Sequence, residues 1–164
     1  MLDAVAETTE LFVPEGTLIV HLIPKNMKYK KTIKAKRGWN YTLPLAVIID
    51  KNTLSGAELF AAVLKETKRA VLIGEKTHGN GTIRTLFPLK NGSALVMRTA
   101  YMKTLTGEIE GQGVTPDVEV VSNVETDKLY DRINSLSTID PRETLTDIQL
   151  KSALSFLADI VAKK

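Results

Sequence analysis

Cysteine is absent from the 164-residue chain, which removes disulfides, thiol nucleophiles and cysteine-based metal sites together. Histidine is scarce. His21 and His78 lie far apart in sequence, so no zinc set is expected, and no metal or organic cofactor is implied. No apolar run approaches the ~20 residues needed to span a bilayer. Met1 leads into a polar-apolar alternation rather than a basic segment followed by an apolar core, so the pattern of a secretory leader is missing. There is no internal repeat and no low-complexity tract.

What is present suits one globular domain. Apolar residues make up 43% and charged residues 25%, ordinary values for a folded chain long enough to bury a core. The net charge of +3 hides an asymmetry. Residues 25–37 (KNMKYKKTIKAKR) hold seven bases and no acid, while outside them 15 bases face 19 acids. Such a run, with Tyr29 inside it, has the charge to meet nucleic acid or anionic lipid. The simpler reading is a β segment charged on one face, whose lysines keep a sheet edge from pairing with another chain. No nucleic-acid partner is therefore expected.

Leu2, Val5, Ala6, Thr9 and Phe12 recur at helical spacing and predict a helix over 2–12. It lacks a clear N-cap, which suggests a chain beginning inside a larger architecture. TLIVHLI (17–23) reads as a buried strand with the basic segment as its hairpin partner. LAVIID (45–50) is a continuous apolar run, as in a central strand covered on both faces. A helix over 54–65 and a short buried strand over 70–73 complete a βαβ unit. Strands are expected over 82–86 and 94–102, with Asn91-Gly92 in the turn between them, and a last strand over 118–121. A short helix is placed at 125–135. Thr146 to Gln149 reads as a T-x-x-Q capping box. The helix after it carries Leu150, Ala153, Leu154, Leu157 and Val161 as one apolar stripe, with Lys163 and Lys164 at its negative end.

Two short segments carry candidate chemistry. Ser55 sits where the central strand hands over to a helix. There the N–H groups of Ser55, Gly56 and Ala57 fall in a first turn, without intrahelical partners, and could face an oxyanion. A serine hydroxyl becomes a good nucleophile only when a base takes its proton. Equally, Ser55 with Glu58 three residues on is an S-x-x-E helix cap, by far the commoner use of that pattern. Gly79-Asn80-Gly81 is a turn, or a place of close backbone approach to a ligand. No G-K-[ST] follows it, so it is not a phosphate loop.

The run PLAVIIDKNTLSGAELFAAVLKETKRAVLIGEKTHGNGTIRTLFPL, followed by GEIEGQGVTPDVEV, resembles the carboxyl-terminal processing, or tail-specific, proteases. LDAVAETTELFVPEG is similar to the helix after that family's Gly-rich segment, and DIQLKSALSFL to its closing helix. The resemblance covers most of the chain and rests on the order of these motifs. It implies an α/β fold with a partial ClpP/crotonase-like core, a mixed sheet with a βαβ unit, and a C-terminal helix. Residues 1–122 would be the C-terminal part of the catalytic core and 123–164 a helical extension of the same domain.

The resemblance also implies a serine peptidase with a Ser/Lys dyad, cleaving protein substrates near their C-termini. Ser55 falls on the nucleophile, with Gly56 contributing to the oxyanion site. The family's lysine position, 25 residues on, is Asn80, and the position of its orienting glutamine is Arg84. His78 replaces the aromatic before the loop. An amide has no titratable proton near neutral pH, and a guanidinium stays protonated. His78, as an imidazole, is the one candidate substitute base, and Lys76 reads as a surface residue of the loop.

Turnover is expected to be impaired, both by Asn80 and by the lack of the family's Gly-rich segment and N-terminal strands. The alternative is an inactive pseudopeptidase that binds peptides or scaffolds a partner; an acyl-thioester site finds no dedicated residues. Expected partners are substrate C-termini and the N-terminal core and PDZ domain of a parent chain. The resemblance implies an extracytoplasmic setting. Self-association through apolar surface is also expected.

Overall fold

The computed structural model describes residues 2–38, 41–122 and 147–162. The helix expected at 125–135, together with Thr146, Lys163 and Lys164, lies outside the described residues. The elements run α1 (Leu2–Glu10), β1 (Leu18–Pro24), a single 3-10 turn (Met27–Tyr29), β2 (Lys31–Lys34), β3 (Ala46–Ile49), α2 (Gly56–Glu66), β4 (Val71–Gly74), β5 (Thr82–Pro88), β6 (Ala94–Lys103), β7 (Val118–Glu119) and α3 (Ile148–Ala162).

The strands divide into two sheets. One is antiparallel, in the order β2-β1-β6-β5; the other is parallel, in the order β3-β4-β7. The basic segment does form a hairpin with β1 and is an outer strand, as the lysine pattern suggested. The βαβ unit is β3-α2-β4, with Ala46 opposite Val71 and Ile49 opposite Gly74. Leu72 and Ile73 are both fully buried. Successive strand residues point to opposite faces, so both faces of β4 are covered.

α2 is the hub of the core. Leu59, Ala61, Ala62, Val63 and Leu64 are all buried. It packs against β1 of the antiparallel sheet and β4 of the parallel one, with α1 laid across it. That position explains a composition of small and apolar residues with few polar breaks. The outer half of the β5-β6 hairpin is different: Leu86, Phe87, Leu95, Val96 and Met97 are all exposed.

α3 packs on β3 and β4 by only part of the expected stripe. Leu154 and Val161 are exposed at 50% and 64%, whereas Gln149 and Ala153 are buried. The Gln149 side-chain NH₂ donates to the Val120 carbonyl at 2.9 Å, and its Oε1, the atom a capping box would use, has no partner among the described residues. Asp147 caps the helix instead, accepting from the N–H groups of Gln149 at 2.8 Å and Leu150 at 3.0 Å.

Candidate active site

A tight turn joins β3 to α2, and Asp50 closes it. Its carboxylate accepts from the N–H groups of Asn52 at 3.0 Å and Thr53 at 2.8 Å, and the Thr53 hydroxyl accepts from Asp50 N–H at 3.0 Å. Such Asx geometry is a local habit of aspartate. It delivers the chain to Ser55 with φ 56° and ψ −117°.

That conformation bears on both readings of Ser55. An ordinary N-cap residue lies in the extended region with its side-chain oxygen on the helix N–H groups. Ser55 has positive φ, an unfavourable region for a residue with a Cβ. Its hydroxyl makes no side-chain cap hydrogen bond. The S-x-x-E box is present in outline, but its firm half is the reverse one, from Ser55 N–H to the Glu58 carboxylate at 2.8 Å. A residue with positive φ at a strand-to-helix corner, its side chain half-buried, has a geometry that nucleophile elbows also use. α2 therefore starts at Gly56, two residues later than its apolar periodicity suggests.

The N–H groups of that first turn are not equivalent. Ser55 N–H is taken by Glu58, and Ala57 N–H by the Leu54 carbonyl at 3.2 Å. The Gly56 N–H has no acceptor among the described residues. The position is also crowded. A Cβ at Gly56 would lie 2.8 Å from Val5 Cγ2 of α1, so the helix crossing leaves no room for a side chain.

Glu58 is the residue that sequence reasoning undervalued. It is fully buried and accepts four hydrogen bonds. One oxygen takes Thr77 Oγ1 at 2.5 Å and Gly79 N–H at 2.6 Å; the other takes Ser55 N–H and Asn80 N–H, both at 2.8 Å. A single carboxylate thus clamps the serine turn to the Gly-Asn-Gly loop. Thr77 extends the network by accepting from Val114 N–H at 2.7 Å. Gly81 then passes close to the backbone of Ile109 and Glu110, where a Cβ would meet Glu110 N at 2.3 Å. The two glycine-rich stretches of the sequence are packed against each other.

Ser55, Gly56, Asn80 and Arg84 line one cleft of about 310 Å³ with Thr82. Its apolar wall is Leu2, Val5, Leu54, Ile83 and Met102. Among the described residues no other polar or charged side chain lines it, so Asn80 stands beside the serine with no base among them. The Asn80 side-chain oxygen, Oδ1, accepts from the Thr82 hydroxyl at 3.3 Å. Arg84 is exposed on β5. His78 is not brought to the serine: it is exposed, donates its N–H to the Thr53 carbonyl at 3.0 Å, and does not line the cleft. Lys76 is exposed. Among the described residues no cluster of His, Asp or Glu has the form of a metal site.

Residues 1–120 match the model of peptidase family S41. The chain is 31% identical over 118 residues to the chloroplastic carboxyl-terminal-processing peptidase 1 of Arabidopsis thaliana, covering 71% of this chain and 24% of that protein. It is 32% identical over 120 residues to the carboxy-terminal processing protease CtpA of Bacillus subtilis, covering 73% of this chain and 26% of that one. Among solved structures, a photosystem II D1 C-terminal processing protease matches with a TM-score of 0.65 at 27% identity, over 74% of this chain and 31% of that chain. The chain spans about a quarter of the length of these two curated relatives.

Proposed function

The chain belongs to peptidase family S41, and on that premise we propose that it holds a serine peptidase site for polypeptide C-termini, with its nucleophile built and its base missing. The strained turn at Ser55 carries this reading: the serine is held with positive φ at a strand-to-helix corner and lines a cleft.

Ser55 Oγ attacks the carbonyl carbon of a peptide bond in the cleft. The oxyanion that forms is met by the Gly56 N–H, the free donor of the turn. The C–N bond breaks as the amine takes a proton from water, leaving an acyl ester on Ser55; a second water hydrolyses that ester, releasing the carboxylic acid and restoring the hydroxyl. At the lysine position Asn80 offers an amide, which accepts no proton from the hydroxyl at neutral pH. Deprotonation of Ser55 therefore falls to solvent, and turnover is slow.

One observation favours a second reading, a peptide-binding module that does not hydrolyse: no cleft-lining side chain among the described residues is a base. Incubation with an unstructured protein substrate separates the two. Slow cleavage is expected, abolished by Ser55→Ala and changed less than about twofold by His78→Ala. Cleavage no faster than in Ser55→Ala, with the substrate still bound, would support the binding module. A large loss in His78→Ala would restore the imidazole as the base.

A further inference from the structure

Arg84 has an unusual neighbour. In the β5-β6 ladder it stands directly opposite Arg98. Residues opposite one another share a face of the sheet, and like charges so placed are unfavourable. Among the described residues the acid that meets Arg98 is Glu110, and it is already engaged. One oxygen of Glu110 accepts from Gly81 N–H at 2.8 Å, and the other meets Arg98 Nη1 at 3.5 Å. Among the described residues Arg84 has neither a hydrogen bond nor an ion pair, yet it is the one charged side chain lining the cleft beside Ser55.

An unneutralised guanidinium at an apolar cleft has the chemistry to hold a carboxylate next to an apolar side chain. The planar fork suits a carboxylate's two oxygens. The geometry points to Arg84 as the residue that reads the terminal carboxylate of a bound polypeptide, with the last apolar side chain against Leu54, Ile83 and Met102. This rests on the peptidase reading for its substrate, and it turns Arg84 from a departure at an orienting position into a specificity residue. Because Arg84 and Ser55 line the same 310 Å³ cleft, and an extended residue spans at most ~3.6 Å, cleavage would fall within a few residues of the chain end.

Binding rather than turnover tests it, in the Ser55→Ala chain, so that hydrolysis plays no part. Three fluorescein-labelled nonapeptides ending in Ala-Leu-Ala-Ala are compared by anisotropy: the free acid, the C-terminal amide, and an amide whose last residue is aspartate. The free acid is expected to bind about tenfold tighter than the plain amide, the low end for a charge-assisted contact at an exposed site. The preference should weaken as salt is raised. Arg84→Gln should bring acid and amide within about twofold, and Arg84→Lys should retain part of the preference, both with unchanged thermal melting. Equal binding of acid and amide by the Ser55→Ala chain overturns the proposal, as does a preference that survives Arg84→Gln. Aspartyl-amide binding as tight as the free acid overturns the assignment to a chain terminus. Any of these results alongside Ser55-dependent cleavage by the unmodified chain would leave the peptidase reading standing.

Discussion

Asn80→Lys is expected to raise the rate of cleavage of an unstructured protein substrate by about 10²–10⁴-fold, the usual worth of a positioned general base. The backbone at this position is already held for the purpose, since Asn80 N–H is fixed to Glu58 at 2.8 Å beside the serine turn. A lysine there would enter a cleft whose other walls are mainly apolar and which already holds the Arg84 guanidinium. Desolvation and a like charge both disfavour an ammonium, so more of this lysine would be neutral, and thus basic, than of a free one. Activity of the variant should therefore rise with pH through the depressed lysine pKa. A steady-state assay of wild type, Asn80→Lys and Asn80→Lys/Ser55→Ala checks this. No gain in the single variant would mean that the missing base is not what limits the site.

The largest expected loss of stability is at Glu58. Glu58→Ala leaves Thr77 Oγ1 and the N–H groups of Ser55, Gly79 and Asn80 without their acceptor in a region the carboxylate fills completely. Orphaned buried donors cost ~1–3 kcal/mol each before relaxation and water entry. A total of at least about 3 kcal/mol is expected, read as a fall in Tm of roughly 6–12 °C for a domain of this size. Glu58→Gln keeps the volume but turns an NH₂ toward two of the four donors, so it should recover only part of the loss. Amide exchange should accelerate first at Gly79 and Asn80, because the clamp is what joins their loop to the serine turn. A Tm within about 2 °C of wild type in Glu58→Ala would show that the loop is held by other contacts.

Both cases mark where sequence reading succeeds and stops. The βαβ unit, the basic hairpin and the order of strands were legible because they rest on period and continuity: an apolar run at 45–50, alternation after it, lysines on an outer strand. The start of α2 was not. Leu54 continues the apolar pattern, but the helix waits for Gly56 because Ser55 takes a positive φ that no periodicity records. Glu58 was legible only as a local cap. Its other three donors lie 19 to 22 residues further along the chain, and only folding brings them to one carboxylate. In α3 the apolar side chains suggested one stripe, while the buried face turns on Gln149, a polar residue committed to the Val120 carbonyl. Pattern arguments rank side chains by hydrophobicity, so a buried amide whose NH₂ is held by a distant backbone carbonyl escapes them. The motif resemblance placed Ser55, Asn80 and Arg84 in one site, and the three do line one cleft; His78, added to supply a base, does not.

The most direct test of a nucleophile without its base is the rate and position of covalent labelling by a fluorophosphonate, followed by peptide mass spectrometry in wild type and Asn80→Lys. The expected result is a single adduct on Ser55 in both chains, formed about 100-fold or more faster in the lysine variant. An adduct on another residue, or equal labelling rates in the two chains, would contradict it.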